Sequence, residues 1–404
     1  MDKEEIGSLC ERILLDLDNI FRKDIKILEF DLIDVRESKC NKSPVIFVNN
    51  CLALEKWCVP HIYQFANEKL LSTKYLNRID LDVLNQWTRI VLLINPDYST
   101  AWNLRRKILI RSKEYLADLE FSELVLERKP KCASVFNYRE WIFNYFRQSF
   151  LTDPELAENL VANELRVTLK ASDKYPRNYY AWSHRSWLLL IFLKNFSFEF
   201  LIDKIIEDLR TTTEWLQKHI SDYSCFQYRQ HLFNFVHSLH NRNNRIDHRN
   251  NVNHKTINNH NDGQCDFESS NTAKFSSEND FLKSLDRFAS NTNHSQSNSH
   301  LNCSLRKFEQ SFFDEFILLD SLWKFYPDQE CLYLHRRYIL KLALKWFPER
   351  LDTLEKQEFE FNEKILKGLI LNRPKEVWLN EMINRYRSFL KHHLNNSSFE
   401  CQDF

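Results

Sequence analysis

The sequence predicts an all-α protein, a right-handed superhelical solenoid of stacked helical hairpins. Three observations carry this. The chain has 3 Gly among 404 residues, and glycine is what hairpin turns, bulges and phosphate-cradling loops require. A twelve-residue pattern recurs five times at spacings typical of repeat arrays. Each copy follows a stretch with helical spacing of apolar residues, as in LDVLNQWTRIVLLI (81–94).

The five copies read PDYSTAWNLRRK (96–107), PKCASVFNYREW (130–141), PRNYYAWSHRSW (176–187), ISDYSCFQYRQH (220–231) and PDQECLYLHRRY (327–338). In each, an aromatic residue precedes an arginine by three positions: Trp102/Arg105, Phe136/Arg139, Trp182/Arg185, Phe226/Arg229 and Tyr333/Arg336. A second aromatic follows the arginine by two positions as Trp141, Trp187 and Tyr338. Arg387-Ser-Phe389 reads as a sixth, degenerate copy. Proline ends one helix and tolerates the start of the next, and Ser99, Ser134 and Asn178 stand where they can cap free backbone N–H groups. Trp182, Arg185 and Leu189 share a helix face, while Trp187 lies well round from Trp182. That helix needs neighbours on more than one side, as an inner-layer helix of an array has.

In chain order, residues 1–75 are expected to be a helical cap, because an end unit has one face without a neighbour. Residues 76–238 carry repeats one to four. Residues 239–303, rich in Asn, Ser and His, lack the apolar content to offset ordering entropy and read as a disordered insert. Within it, FLKSLDRF (281–288) can form a short helix. Its histidines show no metal-ligand spacing. Residues 304–404 hold repeat five, the degenerate sixth and a tail.

The bulk numbers exclude several classes. Net charge is zero, so no general attraction to nucleic acid or anionic membrane is indicated. No secretory signal and no window fit to span a bilayer is present, and a cytoplasmic location is expected. The 10 Cys include no C-x-x-C pair and read as reduced, mostly buried thiols. Cys401 is fourth from the last residue, as in a prenylation box, but Asp403 fills a slot that the box gives to an aliphatic residue. The tail is therefore read as unmodified.

No phosphate loop, zincin helix or nucleophile elbow appears. Acidic pairs such as Glu358/Glu360 read as solvated helix faces rather than catalytic dyads. One arginine per repeat at one slot points to packing, with each guanidinium over its aromatic neighbours and bonded to helix-end carbonyls or an acid of the next hairpin. A solenoid repeats what joins its units, whereas a binding site needs only one or two units to differ.

The pattern P-x-N-Y-x-x-W-x-x-R-x-W, filled by Pro176, Asn178, Tyr179, Trp182, Arg185 and Trp187, resembles the α-subunit repeat of protein prenyltransferases. The resemblance implies a crescent of hairpins, tetratricopeptide-like in build, around a globular β subunit. That β subunit supplies the zinc and most of the isoprenoid pocket, so neither metal nor cofactor is assigned to this chain. It further implies the α subunit of a type III-like geranylgeranyltransferase that shares the Rab geranylgeranyltransferase β subunit. Geranylgeranyl diphosphate would be the donor, and proteins with a C-terminal cysteine, such as a farnesylated SNARE, the acceptors. In that family a Lys-Asn-Tyr reaches the diphosphate from the α side. Here Lys131 fills the lysine slot of repeat two, but Cys132 and Ala133 replace the other two. In repeat three, Arg177, Asn178 and Tyr179 fill all three, with Arg for Lys. Lys131, then Arg177 and Tyr179, are the candidates for stabilising the departing diphosphate. The competing reading is a non-enzymatic tetratricopeptide-like interaction scaffold. The near absence of glycine disfavours it.

Overall fold

A computed structural model describes residues 2–23, 25–35, 43–72, 80–193, 196–253, 298–366 and 377–394. Cys401 and the 281–288 segment lie outside these residues. The chain is an all-α array of helical hairpins with one small sheet near its start. It divides into two compact units, Met1–Leu188 and Leu189–Phe404. The division falls within the 76–238 stretch, between hairpins three and four.

In the first unit, α1 (Lys3–Phe21) opens with an Asp2 capping box. Three strands follow: β1 (Glu29–Ile33), β2 (Val45–Val48) and β3 (Cys51–Glu55), in the order β1-β3-β2. The expectation of a wholly helical cap is thus corrected. VIFV and CLALE are short β-prone runs. Between them Asn49 and Asn50 adopt φ of 50° and 63°, the left-handed conformation a two-residue hairpin needs and asparagine tolerates. Phe30, Leu52 and Leu54 are buried, and β1 packs against a helix of the second hairpin. Then α2 (Val59–Ser72) lies against the first hairpin.

Three hairpins complete the unit: α3 (Leu81–Ile94) with α4 (Ser99–Ser112), α5 (Tyr115–Arg128) with α6 (Ala133–Tyr145), and α8 (Pro154–Lys174) with α9 (Tyr179–Trp187). A short α7 (Arg147–Thr152) joins the last two. First helices pack on first helices (α5 on α8), and second on second (α4 on α6, α6 on α9), giving two layers. Asn178 does cap its helix, accepting from the Ala181 N–H at 3.3 Å. Ser99 and Ser134 do not cap theirs: the capping positions are Tyr98 and Cys132, and both serines stand in the first turn.

In the second unit, α10 (Phe198–Leu216) pairs with α11 (Tyr223–Asn253), α12 (Asn298–Phe325) with α13 (Glu330–Trp346), and α14 (Leu351–Phe361) is followed by α15 (Val377–Leu394). The layers recur, with α10 against α12, α11 against α13 and α13 against α15. The limits of the expected insert are corrected here. Residues 239–253 continue α11 and 298–303 open α12, because a helix already nucleated by a packed turn propagates through polar residues at little cost. Residues 254–297 lie outside the described residues.

Asn50→Val should weaken the sheet, because a β-branched residue in the left-handed region costs roughly 1–2 kcal/mol, whereas Asn50→Gly should not. Urea unfolding of the two variants checks this.

Candidate functional site

The recurrent arginines form one joint repeated between hairpins. Arg105, Arg139, Arg185, Arg229 and Arg336 are all buried to within 2% exposure, so each guanidinium must find its partners inside the protein. Four of them reach back by the same offsets to the first helix of their own hairpin. Twenty residues upstream each finds an oxygen: Asn85 Oδ1 for Arg105 at 2.8 Å, then the backbone carbonyls of Leu119 for Arg139 at 2.6 Å, Leu165 for Arg185 at 2.5 Å and Leu209 for Arg229 at 2.6 Å. Seventeen upstream stands a hydroxyl: Thr88, Ser122, Thr168 or Thr212. Each hydroxyl donates to a carbonyl of its own helix and turns its lone pair to the arginine. Arg336 departs, bonding Asp320 Oδ1 at 2.5 Å instead.

The arginines also reach forward to a carboxylate on the next hairpin. Arg105 Nε donates to Asp118 at 2.8 Å, Arg139 Nε to Glu164 at 2.8 Å, Arg229 Nε to Glu315 at 2.8 Å and Arg336 Nη2 to Glu358 at 2.8 Å. Each of the last three acids takes a further donor from its own hairpin, the residue just before the next arginine. His184 Nε2 meets Glu164 Oε1 at 2.7 Å, His335 Nε2 meets Glu315 Oε1 at 2.8 Å, and the Tyr386 hydroxyl meets Glu358 at 2.6 Å. Arg387 of the degenerate copy is buried, with its Nε 2.8 Å from Asn362 Oδ1. Glu358 is fully buried, which corrects its reading as solvated: it is the acid of a joint, and only its neighbour Glu360 belongs to the exposed run.

The aromatic slot has an equally regular use. Its ring packs on the ring that precedes the next arginine: Trp102 on Tyr138 at 4.7 Å, Phe136 on His184 at 5.3 Å, Phe226 on His335 at 4.9 Å and Tyr333 on Tyr386 at 6.4 Å. Trp182 and Trp187 are buried, and Trp187 stacks on His184. Trp141 is half-buried and stacks on Tyr145 with Arg106 over its ring. Tyr338 accepts a bond from Asn234.

The carboxylates of two joints hold their charge. Burial alone would raise the Glu164 and Glu315 pKa values, but the charges and hydrogen bonds of Arg139 with His184, and Arg229 with His335, outweigh it and hold both at about 2. Burial likewise works against the charge on Arg229, yet Glu315 raises its pKa.

The sequence-derived candidates sit elsewhere, at the hairpin tips: Lys131 and Arg177 on the loops, Tyr179 at the first residue of α9. Lys131 is exposed and its Nζ lies over the Tyr175 ring at 4.8 Å. Tyr175, Tyr179 and Tyr180 of the next hairpin are exposed, with Tyr179 and Tyr180 edge to face. Arg177, also exposed, has φ of 58°. The buried Asn178 ties these tips together: its side-chain amide donates to the Pro130 carbonyl at 2.8 Å and the Ala171 carbonyl at 3.1 Å. Cys132 takes the same role one repeat earlier, with Sγ 3.4 Å from the Pro96 carbonyl and 3.1 Å from Asp97 Oδ1. Burial pushes this thiol up to about 12, so it acts as a neutral hydrogen-bond donor and not as a nucleophile. The Asn-to-Cys departure therefore keeps a tie between tips. Among the described residues, no three His, Cys, Asp or Glu side chains are grouped as a metal requires. None of the described helices is long and apolar enough to cross a membrane.

Joints and tips together define a helical-repeat protein whose units are linked by a buried arginine, carboxylate and aromatic. Residues 115–146, 161–192 and 205–236, the second to fourth hairpins, match the family model described as protein prenyltransferase alpha subunit repeat. The chain carries the repeats of that family. It is 35% identical over 246 residues to the human protein prenyltransferase alpha subunit repeat-containing protein 1, covering 57% of this chain and 59% of the relative. To the Danio rerio protein of the same name it is 32% identical, covering 57% and 56%. A more distant similarity, 29% over 174 residues, joins it to the geranylgeranyl transferase type-2 subunit alpha of Candida albicans, covering 38% and 43%. The matches thus span less than two thirds of each relative.

Breaking a joint should be costly. Arg139→Met leaves Glu164 without its charge partner and should lower stability by about 3–5 kcal/mol in urea unfolding. The depressed Glu164 and Glu315 pKa values add a pH signature. Their stabilisation is present above the ordinary carboxylate value of 4.5 and is lost as pH falls towards about 2. Urea midpoints should fall across that window, and less steeply in the variant carrying E164Q and E315Q.

Proposed function

We propose that this chain is the α subunit of a heterodimeric protein prenyltransferase, of the type III geranylgeranyltransferase kind. In this reading it scaffolds a β subunit, with that of the Rab enzyme as the candidate, and works in the cytoplasm. The observation that supports it is the cluster at neighbouring hairpin tips: Lys131 beside Tyr175, with Arg177 and Tyr179 next to the Asn178 tie.

The reaction joins a cysteine sulfur of the acceptor to C1 of geranylgeranyl diphosphate. The thiolate supplies the electron pair for the new C–S bond, the C1–O bond breaks, and diphosphate leaves with the bonding pair. Zinc, on the β subunit, would hold the thiolate. The task left to this chain is to receive the charge that grows on the leaving group, and cations fixed beforehand do this best. Lys131 and Arg177 are exposed cations of that kind, and the Tyr179 hydroxyl can donate alongside them. The Arg177 backbone supports the reading. A left-handed φ costs a non-glycine residue about 1–2 kcal/mol, and such strain is characteristically kept where a side chain has work to do. Acceptors would be proteins ending in a cysteine motif, a farnesylated SNARE among them.

Two measurements test this. Co-expressed with the β subunit, the chain should retain it through gel filtration and transfer geranylgeranyl to a cysteine-ended peptide. Failure to retain it would leave a tetratricopeptide-like interaction scaffold. In the heterodimer, Lys131→Ala should lower turnover at least about tenfold, some 1.4 kcal/mol of transition-state stabilisation. Arg177→Asn, which suits the left-handed region, should lower turnover with no loss of melting temperature. Unchanged kinetics in both would remove the tips from the reaction.

A further inference from the structure

Two joints that share one plan differ in the residue following the arginine. Between hairpins two and three it is Glu140, and between four and five it is Gln230. His335 has no exposed surface, and its Nδ1 lies 3.0 Å from Gln230 Nε2. An amide nitrogen only donates, so Nδ1 accepts, and His335 is held as the neutral tautomer whose Nε2–H donates to Glu315. An imidazolium here would set an N–H against an N–H. It would also add a positive charge to a joint in which Arg229 from α11 already pairs with the carboxylate that His335 bonds, Glu315 from α12. The other acid nearby, Asp208 of α10, acts on Arg229 and takes the Tyr228 hydroxyl. Arg336, next to His335, bonds away to Glu358 and Asp320.

His184 occupies the corresponding slot of the earlier joint. It faces Glu164 from α8, and from α6 it has both Arg139, bonded to that same acid, and Glu140, whose pKa burial raises while the charge of His184 pulls it back down. Two carboxylates, Glu164 and Glu140, therefore act with His184, whereas the carboxylate that acts on His335 is Glu315.

We propose that the joint between hairpins four and five is a hinge that opens on mild acidification, while the joint between hairpins two and three stays closed because Glu140 supplies the counter-charge that Gln230 lacks. Burial lowers the His335 pKa below the ordinary imidazole value of 6.5, against the opposing pull of Glu315. A group held neutral by the fold stabilises it above that ordinary value, and the contribution is lost as pH falls below it. A Gln230 flip would present its oxygen to Nδ1–H but leaves the excess charge in place.

Native-state hydrogen exchange of the full chain, corrected for intrinsic exchange, tests this between about pH 7.5 and 5.5. Protection in α13 should fall at least about tenfold while that in α9 falls less than about threefold. Q230E should remove most of the α13 effect, and E140Q should bring the same acid sensitivity to α9. Equal losses in α9 and α13 of the parent chain, or an α13 loss unaltered by Q230E, would overturn the proposal. Should Q230E fail to fold, E140Q decides it: an α9 as resistant as in the parent chain would do the same.

Discussion

A guanidinium with no access to water must be matched within the protein, and that requirement organises this molecule. Arg105, Arg139 and Arg229 are each held from two sides. The arginine's own hairpin offers an oxygen and a hydroxyl at fixed offsets, and the next hairpin offers a carboxylate. Such a joint is not the most stabilising way to fill the space, since well-packed apolar side chains of equal volume often do better. What it adds is register. A bidentate arginine and carboxylate accept little displacement, so one hairpin is set on the next at a fixed height. The aromatic slot packs beside it, ring on ring, at the same step.

Register is what makes the tips useful. Loops alone do not hold two side chains from different units at a set position. Here the Asn178 amide on the Pro130 carbonyl, and the Cys132 thiol on the Pro96 carbonyl, tie successive tips above the joints. Lys131 and Arg177 then project from anchored backbone. The features that repeat hold the array together, and those that vary, Lys131, Arg177 and Tyr179, carry the proposed chemistry. Glu140 and Gln230 show the same principle inside the joints, where one exchanged residue changes the proton balance without changing the packing plan.

Much of the hairpin array was legible from the chain because its strongest signal, aromatic-x-x-Arg, lies within one helix at constant spacing. The partners were harder to see. The distance from arginine to its carboxylate is 13 residues in the first joint, 25 in the second, 86 across the insert and 22 in the last described joint, because loop length and the insert intervene. Glu358 is hard to read for a related reason: an acidic run on an amphipathic helix hides one buried member among solvated ones. The hydroxyls at a constant seventeen residues upstream, Thr88, Ser122, Thr168 and Thr212, could have been found by aligning the first helices on the arginines. The sheet leaves only a faint mark in the sequence because its strands are only four or five residues long, and their Asn49-Asn50 turn carries no glycine. The candidate tip residues were visible only through the family resemblance, since an exposed lysine and arginine carry no pattern of their own.

The register of the array depends on arginine and carboxylate acting as one unit across hairpins far apart in sequence. A double-mutant cycle on Arg229→Met and Glu315→Leu, followed by urea unfolding, measures that directly. It should give a coupling of at least about 2 kcal/mol, with the doubly substituted chain more stable than the sum of the single losses implies. Additivity within about 0.5 kcal/mol would mean that the joints do not hold the array, and that the register of the tips has another source.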